Sequence, residues 1–114
     1  MKTKPIKEAE FQKQIIQLGH LFGWRIAHFR PALTKRGWRT AVSGDGAGFP
    51  DLVLARDGFT IFAELKTDTG VVSIEQWAWL ESLGGIHKNS HTIVAVWRPR
   101  DFAEIENILR TIGK

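Results

Sequence analysis

The sequence predicts an α/β fold: a mixed four-stranded sheet flanked by helices, in the order α-β-β-β-α-β-α. Three observations lead there. Apolar residues recur at helical spacing near both ends of the chain, and four short strand-like runs lie between them. The last of those runs follows a helix, so it can return parallel to a neighbouring strand. At 114 residues the chain fits one domain, 1–114, with a modest core.

Residues 6–22 read as an amphipathic helix with Phe11, Ile15, Leu18 and Phe22 on one stripe, ended by Gly23. "WRIAHFR", residues 24–30, alternates as a strand does and stops at Pro31. "PALTKRGWRTAVSGDGAGFP" reads as a long loop, made pliable near its end by Gly44, Gly46 and Gly48. Two strands follow, "DLVLAR" and "TIFAELKT", joined by Asp57-Gly58, a strong signal for a type I′ turn. Ser73 and Gln76 form a capping box that starts a helix near residue 74, with Trp77, Leu80 and Leu83 buried and Gly84-Gly85 as its stop. "HTIVAVWR" is apolar throughout and is expected to be central in the sheet. "RDFAEIENILRTI" closes as a helix with Phe102, Ile105, Ile108 and Leu109 on one face.

Hydrophobic content of 43% and charged content of 25% belong to an ordinary soluble protein. No run approaches the ~18 apolar residues of a membrane span, and "MKTKPIKEAE" lacks a signal-peptide core, so no membrane partner is expected. Without cysteine there is no disulfide framework and no thiolate metal site, which fits a cytoplasmic protein. The net charge of +4 permits a polyanionic partner. Its distribution says more. No acid occurs between Glu10 and Asp45, an interval that holds Lys13, Arg25, Arg30, Lys35, Arg36 and Arg39 among Trp24, Phe29 and Trp38. Such a segment either tracks a phosphate backbone or is a solvated basic face.

The Asp57-Gly58 turn fixes a register in which Arg56 faces Phe59 and Asp51 stands opposite Glu64. Facing like charges destabilise a hairpin. Phe62, Glu64 and Lys66 share one side of their strand, and an arbitrary strand with that pattern would simply turn it to solvent. Asp51 on the same side points instead to two carboxylates made stable by a divalent cation. Carboxylates, a main-chain carbonyl and retained waters suit octahedral Mg²⁺, with Mn²⁺ a substitute. Lys66 would orient or deprotonate the attacking water, or neutralise transition-state charge. The first and last roles fit its ordinary pKa better. Glu8, three residues before Phe11, lies along the buried stripe and would supply a third acid, or else favour the helix dipole. Glu10 points elsewhere.

"GFPDLVLAR" followed by "FAELK" resembles the PD-(D/E)XK nuclease superfamily. The longer series "EAEFQ", "GWRIAHFR", "GAGFPDL", "AELKTDTG" and "SIEQWAWLESL" resembles its virus-type replication-repair branch, the VRR-NUC domain, over residues 7–98. The resemblance implies a restriction-endonuclease-like core and a metal held by Asp51, Glu64 and the Leu65 carbonyl. It also implies catalytic assistance from Lys66 and Glu8, and a supporting role for Gln76. Stand-alone members of this size resemble phage or prophage proteins, which implies the cytoplasm of a bacterium or infected host, and some are homodimeric Holliday-junction cutters.

The expectation is therefore a Mg²⁺-dependent endodeoxyribonuclease, selective for branched, junction or flap DNA. Arg30, Lys35, Arg36 and Arg39 would engage phosphates. His28 lies with Arg30 near the phosphate or on a polar sheet surface. Trp38 either stacks on a base or folds back on its own domain. Cutting two strands of a junction needs two protomers, hence a homodimer. The rivals are an inert DNA-binding or assembly module of the same fold and a nuclease acting on RNA.

Overall fold

The computed structural model describes residues 5–29, 32–34, 37–39, 44–84 and 91–113, with the backbone alone for 32–34 and 37–39. Helix α1, Glu8–Leu21, buries Phe11, Ile15 and Gly19 along one stripe. Gly19 is small for a reason: a Cβ there would come within 2.6 Å of Ile26 Cδ1. After Gly23, at φ +83°, the chain turns into β1, Arg25–His28. Strands β4, Leu52–Arg56, and β5, Phe59–Leu65, form the expected hairpin. Asp57 at φ +48° and Gly58 at φ +84° supply the two positive values that a type I′ turn demands. The register runs from Arg56↔Phe59 to Leu52↔Ala63.

Helix α2, Ile74–Ser82, starts on the complete Ser73/Gln76 capping box. Strand β6, Thr92–Trp97, then pairs parallel to β5 with Ile61 opposite Ile93. A 3-10 turn at Pro99–Asp101 leads into α3, Phe102–Thr111, which buries Ile105 and Leu109. The sheet order is β1-β4-β5-β6, antiparallel except for the last pair. One face carries Leu52, Leu54, Ile61, Ala63, Leu65 and Trp97, which form a single core with Phe11 and Ile15 of α1 and Ile105 and Leu109 of α3. On the other face Phe62 meets Phe49, which in turn meets Trp79 of α2. This is an α/β fold with helices on both sides of a mixed sheet.

Three sequence expectations need correction. Strand β6 is an edge of the sheet and not its centre. Its apolar run reflects a core-facing side of Ile93, Ala95 and Trp97, while Thr92–Val96 are half-buried. The segment read as a long loop holds a short antiparallel pair, β2 (Ala32–Thr34) and β3 (Gly37–Arg39), with Leu33 opposite Trp38. Trp77, expected inside, is 52% exposed. The inward side of α2 is Gln76, Trp79, Leu80 and Leu83 instead. Trp79 is drawn in by its edge contact with Phe49 and by its indole N–H, which donates to the Asp45 carbonyl at 2.7 Å. No helix among the described residues is long and apolar enough to cross a membrane.

Arg56, beside the hairpin turn, is buried with its guanidinium 4.5 Å over the Trp24 ring. Nη1 donates to the carbonyls of Phe22 and Leu109, each at 2.8 Å, and Nη2 donates to that of Ile112. Those carbonyls belong to the C-terminal ends of α1 and α3, where the helix dipole favours a cation. One side chain thus fastens two helix ends to the sheet.

Candidate active site

Asp51 sits where β4 begins. Its carbonyl accepts from Phe29 N–H at 3.0 Å, which continues the β1 pairing past His28. Its carboxylate reaches across to β5, where Oδ2 accepts from Leu65 N–H at 2.8 Å. Alternation along β5 puts Glu64 on the Phe62 face, but that face is not solvent here: Glu64 is 1% exposed. Glu64 Oε1 accepts from Gln76 Nε2 at 3.0 Å and lies 3.7 Å from Lys66 Nζ. Oε2 is buried with no hydrogen-bond partner.

Asp51 and Glu64 therefore meet as the register anticipates. Burial pushes the Glu64 carboxyl up to about 8, helped by the neighbouring Asp51 carboxylate and opposed by Lys66. Partial burial, then Asp51, also raises Glu8, while Lys66 lowers it. Of the two helix acids, Glu8 lines an open cleft of about 730 Å³ with Gln12, His28, Phe29 and Asp51. One correction applies: Glu8 stands exposed at the cleft rim and not among the buried residues of the stripe, because α1 begins there and its burial starts at Phe11.

Among the described residues no three Asp, Glu, His or Cys side chains form a ready-made metal cage. The donors that do converge suit a hard cation that keeps part of its water shell. Leaving a carboxylate oxygen buried and unpaired beside a second carboxylate is costly unless a cation or proton meets it. That oxygen is what a metal bound by Asp51 and Glu64 would engage.

Two glycines keep the supporting residues in place. Gly48, at φ +83°, lies so close to α2 that a Cβ would stand 2.6 Å from the Glu75 carbonyl carbon and 2.8 Å from Gln76 N. Gln76 works at both ends of its amide, accepting from Ser73 N–H at 2.8 Å while donating to Glu64. Gly48→Ala is expected to cost about 1–3 kcal/mol from backbone strain alone. It should also move Gln76 off Glu64, which denaturant titration and a cleavage assay read separately. Gly70 closes the turn that follows Lys66, its N–H donating to the Thr67 carbonyl at 3.2 Å. Arg98 Nη1 donates to the carbonyls of Thr67 and Gly70, each at 2.7 Å, and so fixes the turn beside that lysine.

His28 lines the Asp51 cleft. Arg30, Lys35 and Arg36, expected to bind phosphate, lie outside the described residues, and Trp38 and Arg39 are described in backbone only. Arg98 escapes a reading of the sequence because carbonyl acceptors leave no trace in it. Gly70 had a signal in "AELKTDTG", and Gly48 in the glycine cluster, though as pliability and not as close approach.

A search against models of known protein families finds none that matches this chain. Functional inference therefore rests on the site itself.

Proposed function

We propose that the protein is a metal-dependent nuclease that hydrolyses DNA phosphodiester bonds, a member of the VRR-NUC branch of the PD-(D/E)XK superfamily with a restriction-endonuclease-like core. The observation that carries this reading is the buried Glu64 beside the half-buried Asp51, with the unpartnered Glu64 Oε2 and Lys66 Nζ at 3.7 Å from the other oxygen. Asp51, Glu64 and the Leu65 carbonyl would hold Mg²⁺, or Mn²⁺ in its place. The ion supplies Lewis-acid stabilisation to the phosphoryl group and eases deprotonation of the attacking water.

The chain's own residues do the rest. Leu65 N–H fixes the Asp51 carboxylate. Gln76 occupies Glu64 Oε1 and so leaves Oε2 as the oxygen turned to ligation. Lys66, beside Glu64 at the end of β5, orients the water or neutralises charge building on the phosphoryl oxygens. Glu8 places a further carboxyl at the cleft wall, where it takes or passes a proton from solvent. No element of the described structure reads base edges, so DNA shape is the selecting property, with branched or flapped substrates and a homodimer for paired cuts.

The test incubates labelled duplex, flap and four-way-junction DNA with and without Mg²⁺ or Mn²⁺, beside Lys66→Ala. Metal-dependent cutting that Lys66→Ala lowers about 10²-fold or more is expected. Binding with no cutting of any substrate would replace this reading with the inert module. Cutting of the corresponding RNA alone would reassign the substrate.

A further inference from the structure

A second cleft, distinct from the one that Glu8 and Asp51 line, is not accounted for above. The second, about 660 Å³, is lined by Lys7, Thr67, Asp68, Thr69, Pro99 and Arg100 among others. The two clefts abut along the chain. Glu8 lines the first and Lys7 the second, while Thr67 of the second directly follows Lys66. Glu8 and Lys66 are thus each next in the chain to a residue that lines the second cleft.

The chemistry of the second cleft is cationic where the centre is anionic. Lys7 and Arg100 are both exposed at its walls. The acid there, Asp68, is already engaged, since its Oδ1 accepts from Arg100 N–H at 3.0 Å. Arg100 Nη1 bonds the Asp68 carbonyl at 3.2 Å, which aims the guanidinium along the cleft wall and leaves its other N–H groups for a ligand. Two threonine hydroxyls complete the set. The floor is firm, because Arg98 pins both ends of the 67–70 turn.

A polyanion crossing Glu8, Asp51 and Glu64 is repelled at the centre and has to be held from the sides. We infer that one nucleic-acid strand runs from the α1 cleft past Glu8 and Lys66 into this second cleft, and that Lys7 and Arg100 grip a phosphodiester there, flanking the bond to be cut. The inference rests on the nuclease reading for the location of the scissile phosphate. The grip itself depends only on the cleft's own residues.

The experiment measures anisotropy of labelled single-stranded oligonucleotides of increasing length, with Ca²⁺ replacing Mg²⁺ to prevent turnover. Wild type, Arg100→Ala, Arg100→Lys, the double variant Lys7→Ala/Arg100→Ala, and the control Arg110→Ala on the far end of α3 are compared, each checked for folding by thermal melting. Wild-type affinity should rise with length until both clefts are filled. Arg100→Ala should weaken binding of long oligonucleotides about three- to tenfold and lower the salt slope by about one, and the double variant should lower it by about two. Arg100→Lys should recover most of the loss, and Arg110→Ala should change nothing. A folded double variant with wild-type affinity and salt slope overturns the inference. Cleavage with Mg²⁺ is followed in parallel so that two failures stay separate. Length-dependent binding that needs Arg100 but never leads to cutting sinks the nuclease reading and keeps the cleft. Cutting that the double variant performs as well as wild type sinks the cleft and keeps the nuclease.

Discussion

Glu64→Gln is expected to abolish metal-dependent cleavage while making the metal-free protein more stable than wild type at pH 8. The glutamine keeps the shape of the side chain, accepts from Gln76 through its oxygen, and carries no charge to set against Asp51. In wild type the Glu64 carboxyl is raised from an ordinary 4.5 to about 8, by burial first and Asp51 second. Between those two values the folded protein holds a proton that the unfolded chain has released. Stability is then fully present below the lower value and falls as pH rises towards the upper one, by at most ~1.4 kcal/mol per pH unit. Urea titrations in EDTA across pH 5–8 should show that decline in wild type and a flat profile in Glu64→Gln. Added Mg²⁺ should restore wild type at the alkaline end, because a ligand of the folded state stabilises it, and should do little for the variant. Cleavage should drop ~10²–10³-fold, the several kcal/mol that the metal contributes. A variant that still cuts at the wild-type rate would remove Glu64 from the site.

Arg56→Met should do the reverse: a large loss of stability and an intact reaction in whatever remains folded. Three helix-end carbonyls receive donors from this one guanidinium, and Leu109 alone keeps a second donor, the Trp24 indole at 2.8 Å. Methionine fills the volume over Trp24 but leaves the Phe22 and Ile112 carbonyls without their donor. A cost of about 3–5 kcal/mol is expected, as for breaking a buried hydrogen-bonded charge site. Arg56→Lys should recover part of it, since a point charge meets the helix dipoles but cannot fork to three carbonyls. Urea titration reads the loss, and turnover per folded molecule reads the reaction. A change below ~1 kcal/mol would mean that water replaces the guanidinium at both helix ends.

The hairpin and the meeting of Asp51 with Glu64 were legible in the sequence because a two-residue turn sets register, and register sets which side chains face one another. Capping likewise announced α2 to within a residue. Side-chain burial beyond the hairpin was less readable. The period of α2 allowed either Trp77 or Trp79 to face inward, and the decision came from Phe49 and the Asp45 carbonyl, far away in the chain. An apolar strand looks the same at the edge of a sheet as at its centre when helices cover its faces. Arg56, next to Asp57 at a turn, has the local signature of a solvated surface pair. Its burial depends on where two helices end, which no neighbouring residue encodes.

Both buried charges lie on one hairpin, separated by the length of β4, roughly 17 Å at about 3.3 Å per residue. Arg56 at the closed end bonds three fixed carbonyls and leaves only Nε without a hydrogen bond, whereas Glu64 at the open end keeps a carboxylate oxygen with nothing to hold it. A thermodynamic cycle over Arg56→Met and Glu64→Gln should therefore show no coupling beyond ~0.5 kcal/mol. Such independence would let the anchoring end be redesigned for heat resistance without retuning the chemistry at the other.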